Sequence, residues 1–162
     1  ISNRDRSSRD SSIRDILYSA YLDSADLASA NLYSANLYSA DLYRANLASA
    51  NLASANLYSA DLDSANLASA NLASADLDSA DLSRAILLNT SLNRAGNLTR
   101  QQFKSENPPL ICNATLPSEL EPYQNRDCDK LPAVLRERYP NDFRTLEEAE
   151  RFVNQQRQVE GE

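Results

Sequence analysis

Residues 26–35 read Asp26-Leu27-Ala28-Ser29-Ala30-Asn31-Leu32-Tyr33-Ser34-Ala35, two copies of one unit, (Asp/Asn)-Leu-X-Ser-Ala. Working outward, leucine recurs every fifth residue from Leu17 to Leu92, sixteen times without a miss. Alanine stands two residues before each leucine from Ala20 to Ala85, and the residue between them is nearly always Asn or Asp. A period of five is no helix face: at about 100° per residue, successive leucines would sit roughly 140° apart and spiral around the axis. In extended chain, Ala and Leu two apart point the same way and the Asn or Asp between them points outward. The alternation then breaks for two residues and resumes, as a short strand followed by a turn would require. Each pentapeptide is expected to form one side of a polygon.

The tandem units Ala-Asp-Leu-X-X and Ala-Asn-Leu-X-X resemble the pentapeptide-repeat proteins, over about half of the chain. The resemblance implies an all-β solenoid, a right-handed quadrilateral parallel β-helix with leucine as the central inward residue and alanine as its smaller inward neighbour. At four units per coil, sixteen repeats make about four coils, roughly 19 Å tall at a strand spacing of ~4.8 Å. A small α-helical C-terminal cap is expected to complete it. The division expected is a polar N-terminal segment over 1–14, the β-helix over 15–95, and the helical cap over 96–162. No glycine precedes Gly96, so turns that avoid positive φ are expected.

Positions twenty apart then stack, which sorts the outward residues into four walls. The wall of the inward leucines Leu17, Leu37, Leu57 and Leu77 carries Tyr18, Tyr38 and Tyr58 as a ladder, then Asp78. The second carries Tyr21, Asp41, Asp61 and Asp81 before its leucines and Asp23, Tyr43, Asp63 and Ser83 after them, an acidic face partly answered by Arg44 and Arg84. Ala28, Ala48 and Ala68 make the third smooth, and the fourth aligns Asn31, Asn51 and Asn71 beside Tyr33. Asn ladders and stacked rings are structural devices of stacked strands. Tyrosine is also a favoured interface residue, so Tyr18, Tyr38, Tyr58, Asp41, Asp61 and Asp81 are the candidate interaction residues.

The flanks break the pattern. Ile13, Ile16 and Leu17 suit a short helix over the open end of the first coil, which needs a cap. At the other end Thr90 replaces an alanine, Gly96 appears and Leu98 arrives a residue late, so the solenoid is expected to stop there. Three helices are expected: one capped by Thr99 and running through Lys104, one from about Leu131 to Tyr139, and one from Leu146 to about Gln156. The last has a Thr145/Glu148 capping box, and its stripe of Leu146, Ala149, Phe152 and Val153 is expected on the last coil. Ala114-Thr115-Leu116 looks like a stray repeat in a new phase. Cys112 and Cys128 are the two cysteines. A disulfide between them would restrain the cap by about 3 kcal/mol and favour an oxidising compartment; a pair of reduced, buried thiols is the alternative.

Charge and inventory narrow the function. The segment 1–14 sums to +2, residues 15–95 to −6 and residues 96–162 to −3, giving the net −7. Nucleic-acid binders need a cationic stripe to displace phosphate counterions, and none is visible. No apolar run approaches the roughly 18 residues of a membrane span, so no membrane insertion is expected. With no histidine and no glycine-rich phosphate loop, no catalytic residues, metal or cofactor are expected. The leading expectation is a non-catalytic structural or protein-interaction module with an unknown protein partner, possibly a homodimer. Relatives implied by the resemblance abound in cyanobacteria, and several are exported. The start at Ile1 rather than methionine fits either a cleaved export signal or a sequence begun downstream of its natural start. Together with the cysteine pair and the resemblance it leans toward export to the periplasm or thylakoid lumen, with the cytoplasm as the alternative. The rival function is DNA mimicry, inhibiting an enzyme such as gyrase. Duplex DNA carries one charge per ~1.7 Å, whereas −6 over ~19 Å is one per ~3 Å on a short rod.

Overall fold

The computed structural model describes residues 17–158. The polar segment 1–14 and the cap expected from Ile13 and Ile16 lie outside the described residues. The architecture follows from parallel pairing between residues twenty apart: Asp41 bridges Tyr21 on one side and Asp61 on the other, and the same step joins Asn31 to Asn51 to Asn71. Twenty residues are four pentapeptides, so the chain winds as four-sided coils over 17–36, 37–56, 57–76 and 77–96. The leucines from Leu37 to Leu92 fill the axis at no more than 1% exposure. Those of the first coil, Leu17, Leu22, Leu27 and Leu32, are partly buried.

One pentapeptide illustrates why the unit repeats. The Asn56 N–H donates to the Ala35 carbonyl of the preceding coil (2.9 Å), and Leu57 N–H to the Asp76 carbonyl of the next (2.8 Å). Tyr58 N–H donates to Asn56 Oδ1 (3.1 Å), Ser59 N–H to the Asp78 carbonyl (2.9 Å), and Ala60 N–H back to the Leu57 carbonyl (3.0 Å). All five backbone donors are spent, and buried backbone demands no less. The side-chain acceptor bond recurs at each Asn or Asp of this position from Asp26 to Asp81, at 2.8–3.2 Å. Asn and Asp interchange there because each supplies the one oxygen that is needed.

This local closure has two consequences that differ from the expectations above. The X-residue donor and the leucine carbonyl are both used within the unit, so each side pairs with its neighbours through a single bridge residue rather than a strand. Among the described residues, three-residue parallel strands form only between β1 (Ile86–Leu88) and β2 (Leu110–Cys112). Ile86 offers no side-chain acceptor to compete with the ladder. The turns also do not avoid positive φ. All sixteen corner residues after the leucines lie between +51° and +60°: Ser at most, Arg at 44, 84 and 94, Asn at 89. Such turns ordinarily call for Gly or Asn, and each non-glycine corner costs on the order of 1 kcal/mol. The bond to the next coil and the turn bond hold each corner from Ser19 to Ser74 in place, for example Ser19 N–H to Tyr38 and Ala20 N–H to Leu17.

The coil path does not end at Gly96. α1 (Arg100–Lys104) replaces one side, with Thr99 N–H donating to Gln102 Oε1 at 2.8 Å. The chain then rejoins the stack with a step of twenty-four: Ile86 pairs with Leu110, and Ser91 with Thr115. Asn113, at φ +53°, takes a corner. Ala114-Thr115-Leu116 is therefore a displaced continuation of the coil, and the four extra residues make room for α1. Phe103, Ile111, Leu116 and Leu120 close the end of the leucine core.

α2 (Leu131–Arg138) and α3 (Leu146–Gln158) occupy a different place. Leu131, Leu135, Ala149 and Val153 are buried with Ala68, Ile86 and Leu88, on the third wall of the last two coils. The small side chain of Ala68, fully covered, lets the helices approach. Thr145 and Glu148 form the expected reciprocal cap, with Glu148 N–H donating to Thr145 Oγ1 (3.2 Å) and Thr145 N–H to Glu148 Oε2 (3.1 Å). Leu146 departs from the expected stripe: it is 43% exposed.

Candidate functional site

Two walls carry the candidate interaction residues. On the first, Tyr18 and Tyr38 stack with ring centroids 5.1 Å apart and planes 5° from parallel, and Tyr38 and Tyr58 stack at 5.2 Å and 9°. The spacing follows the coil rise, because the X position repeats at the same point of each layer. Tyr18 is 55% exposed, while Tyr38 and Tyr58 are half-buried in the column. The end nearest the first coil is also ringed by Tyr21 and Tyr33, both exposed.

Around the next corner Asp41, Asp61 and Asp81 stack in bridge register. On the asparagine walls a carboxamide donates to the layer before it, as Asn46 does to Asp26 (3.1 Å) and Asn51, at the long end, to Asn31 (3.5 Å). Aspartates have no such donor, so this column has no rungs, only repulsion. Burial is the first cause that raises the Asp61 carboxyl above its ordinary range, opposed by the Asp63 N–H and reinforced by Asp81, Asp41 and Asp63. The expected arginine answer to this acidic wall is met in part: Arg84 binds Asp63 through its Nε (2.8 Å) and Nη2, beside the column rather than on it. Among the described residues no group of three or more His, Cys, Asp or Glu gathers as a metal site.

Cys112 and Cys128 are joined by a disulfide, Cα–Cα 4.9 Å, that ties β2 to the turn before α2. Its neighbour Arg126 had no signal in the sequence. That guanidinium donates to the Phe103 carbonyl (2.7 Å) and to Pro109, while the Asp127 carboxylate accepts the Ile111 N–H (2.9 Å). A charged Arg-Asp pair in a non-repeating stretch reads as ordinary surface until the fold brings these carbonyls to it.

Coils of four pentapeptides, with an inward leucine on each side and an outward Asn or Asp closing each turn from Asp26 to Asp81, define a solenoid of the pentapeptide-repeat class. The chain belongs to the pentapeptide-repeat family: the family model for pentapeptide repeats matches residues 17–48 and 60–95 in eight copies. A pentapeptide repeat protein of the Arabidopsis thaliana thylakoid lumen is similar in fold, with a TM-score of 0.54 and 22% identity over 68% of this chain and 77% of that one. One from Nostoc Pcc 7120 is 34% identical over 52% of this chain and 72% of its own, TM-score 0.49. Rfr23 from the cyanobacterium Cyanothece 51142 is 31% identical over 60% of this chain and 64% of its own, TM-score 0.49. A comparison with curated proteins gave no match. Among the described residues no helix is long and apolar enough to cross a membrane.

Proposed function

We propose that this protein is a non-catalytic interaction module, a rigid solenoid that presents the tyrosine column and the adjoining aspartate column to a protein partner. The observation that carries the reading is the division of the walls. The helical flank packs on the third wall and the coil end, whereas Tyr18, Tyr38 and Tyr58 stack on the first wall, outside that packing, with Tyr18 exposed. Preordered rings bind at low conformational cost, since their rotamers are set before a partner arrives. The disulfide supports an oxidising compartment, the periplasm or the thylakoid lumen.

The test is affinity capture from the native organism by the intact protein and by a Tyr18→Ser/Tyr38→Ser/Tyr58→Ser variant. The expected outcome is a partner retained by the first and lost by the second, with the coil still folded by circular dichroism. Equal capture by both would return the tyrosines to a purely structural role. The aspartate column favours one second reading, inhibition of a DNA-binding enzyme by an acidic surface. The column occupies one wall of four, and Asp63 is neutralised by Arg84, which weakens that reading. A gyrase supercoiling assay separates the two: inhibition at micromolar protein would replace the module reading, and its absence removes the mimic.

A further inference from the structure

A cleft of about 530 Å³ lies between the solenoid and the turn that joins α2 to α3. One side is the corner of Ser24, Arg44 and Ser64 with the edge of the third wall; the other is Tyr139, Asp142 and Phe143. A smaller hollow of about 180 Å³ shares Arg44, Ser64, Tyr139 and Asp142 with it and extends toward Tyr43, Arg84 and Arg138. Junctions between packed units are where ligand clefts of this size ordinarily form.

In a chain that is acidic overall, the cations at this corner outnumber the carboxylates: Arg44, Arg84 and Arg138 stand against Asp63 and Asp142. The chain is −7 overall, and residues 15–95 hold three arginines, yet two of them, Arg44 and Arg84, stand at this one corner and Arg138 joins them from α2. Two of the three are committed: Arg84 to Asp63, and Arg138 to the Pro108 carbonyl at 2.7 Å. Among the described residues Arg44 makes no ion pair or side-chain hydrogen bond, and it is exposed. It takes its corner at φ +56°, where twelve other corners use Ser, so the turn itself has no need of a guanidinium. Tyr43, Tyr139 and Phe143 add ring surface beside it.

We propose that this cleft binds a carboxylate attached to a planar apolar body, with Arg44 as the anion partner and the neighbouring rings as the apolar walls. Guanidinium and carboxylate match as a bidentate pair, and the rings favour a flat body over a branched one. Free aromatic acids and polypeptide C-termini ending in an aromatic residue share this chemistry. The site is separate from the tyrosine column and does not depend on that reading.

The test titrates the full chain with phenylacetate, with N-acetyl-Gly-Phe, and with the amide of the latter, followed by amide shifts in two-dimensional NMR. Saturable binding is expected, with shifts gathered at Ser64, Asn66 and Tyr139–Phe143. Arg44→Ser installs the residue most corners already use, so the coil is kept, and it should weaken binding at least about ten-fold, or ~1.4 kcal/mol. Arg94→Ser, at another corner, should leave binding unchanged. Tighter binding of N-acetyl-Gly-Phe, lost on amidation, assigns the source to a polypeptide C-terminus; tighter binding of phenylacetate assigns it to a free acid. No saturation with either probe, or equal binding by the Arg44→Ser protein, overturns the proposal.

Discussion

In the inner coils a single rule closes the backbone: each pentapeptide from Asp41 to Ala75 spends its five N–H groups on itself and its two neighbours, and the rule is the same at Asn46 as at Asn56. Where the flank from residue 97 to residue 158 meets the coils, backbone pairs such as Thr115 N–H to the Thr90 carbonyl are supplemented by individual side chains. Gln102 Nε2 donates to the Leu77 and Ala80 carbonyls, Arg126 to Phe103 and Pro109, and Asn89 Nδ2 to the Gln156 carbonyl. The coils spread each need over many copies, so no outward residue is indispensable. The flank concentrates it, so one substitution there breaks a contact that nothing else duplicates. Repetition is robust to outward change and intolerant of change on the axis, where every layer rests on the next.

The sharpest way to break that contrast is on the axis. Leu57→Asp places a charge where the side chain is fully buried; it should cost more than about 4 kcal/mol and abolish cooperative melting in circular dichroism. A variant that melts near the wild-type temperature would refute the stacked-leucine core. Next in size is the flank's covalent tie. Cys112→Ala with Cys128→Ala opens the loop between residues sixteen apart, for an expected loss of about 3 kcal/mol. Hydrogen exchange should then loosen α2 and α3 while the coil amides keep their protection; uniform loosening would mean that coils and flank unfold as one unit.

A smaller effect probes the turn rule. Asn56→Ala leaves the Tyr58 N–H without its acceptor and should cost about 1 kcal/mol by chemical denaturation. Asn56→Asp keeps the oxygen and should cost little; equal losses would show that the carboxamide acts through something other than this bond. The smallest effect has the opposite sign. Asp61→Asn keeps the acceptor for Asp63 N–H and removes a like charge from the column, so at neutral pH it should stabilise by about 0.5 kcal/mol, a modest figure because the group is partly solvated. The raised carboxyl means that the folded wild type binds more protons than the unfolded chain just above the ordinary aspartate range. Wild-type stability therefore falls as pH rises through that window. The advantage of Asn should disappear as pH drops below it, and a gain that persists in acid would discard the repulsion account.

Legibility differed between these regions for a physical reason. The leucine register implied the period of twenty, and with it the stacking of Tyr18 on Tyr38 on Tyr58 and of Asp41 beside Asp61 beside Asp81. The helix caps at Thr99 and Thr145 were readable because capping is local. The positive-φ corners were not, because serine has no preference that announces them and the bonds that hold each one come from the next coil. The burial of Ala68 against α2 and α3 was equally hidden, since a smooth wall looks the same whether it faces water or a helix.

The sequence by itself therefore determined whatever repeats: the coil, its leucine axis, the Asn or Asp of the turns from Asp26 to Asp81, and the columns of side chains on the outer walls. Translation along the axis carries one local solution to each layer, so a single unit contains the information for all of them. Only the tertiary structure decided what occurs once. It returned Thr115 to the stack after α1, laid α2 and α3 against the side wall, bound Arg84 to Asp63, and brought Arg44, Tyr139 and Phe143 around one cleft. Those contacts join residues tens of positions apart with no period between them, and only the packed chain can bring them together.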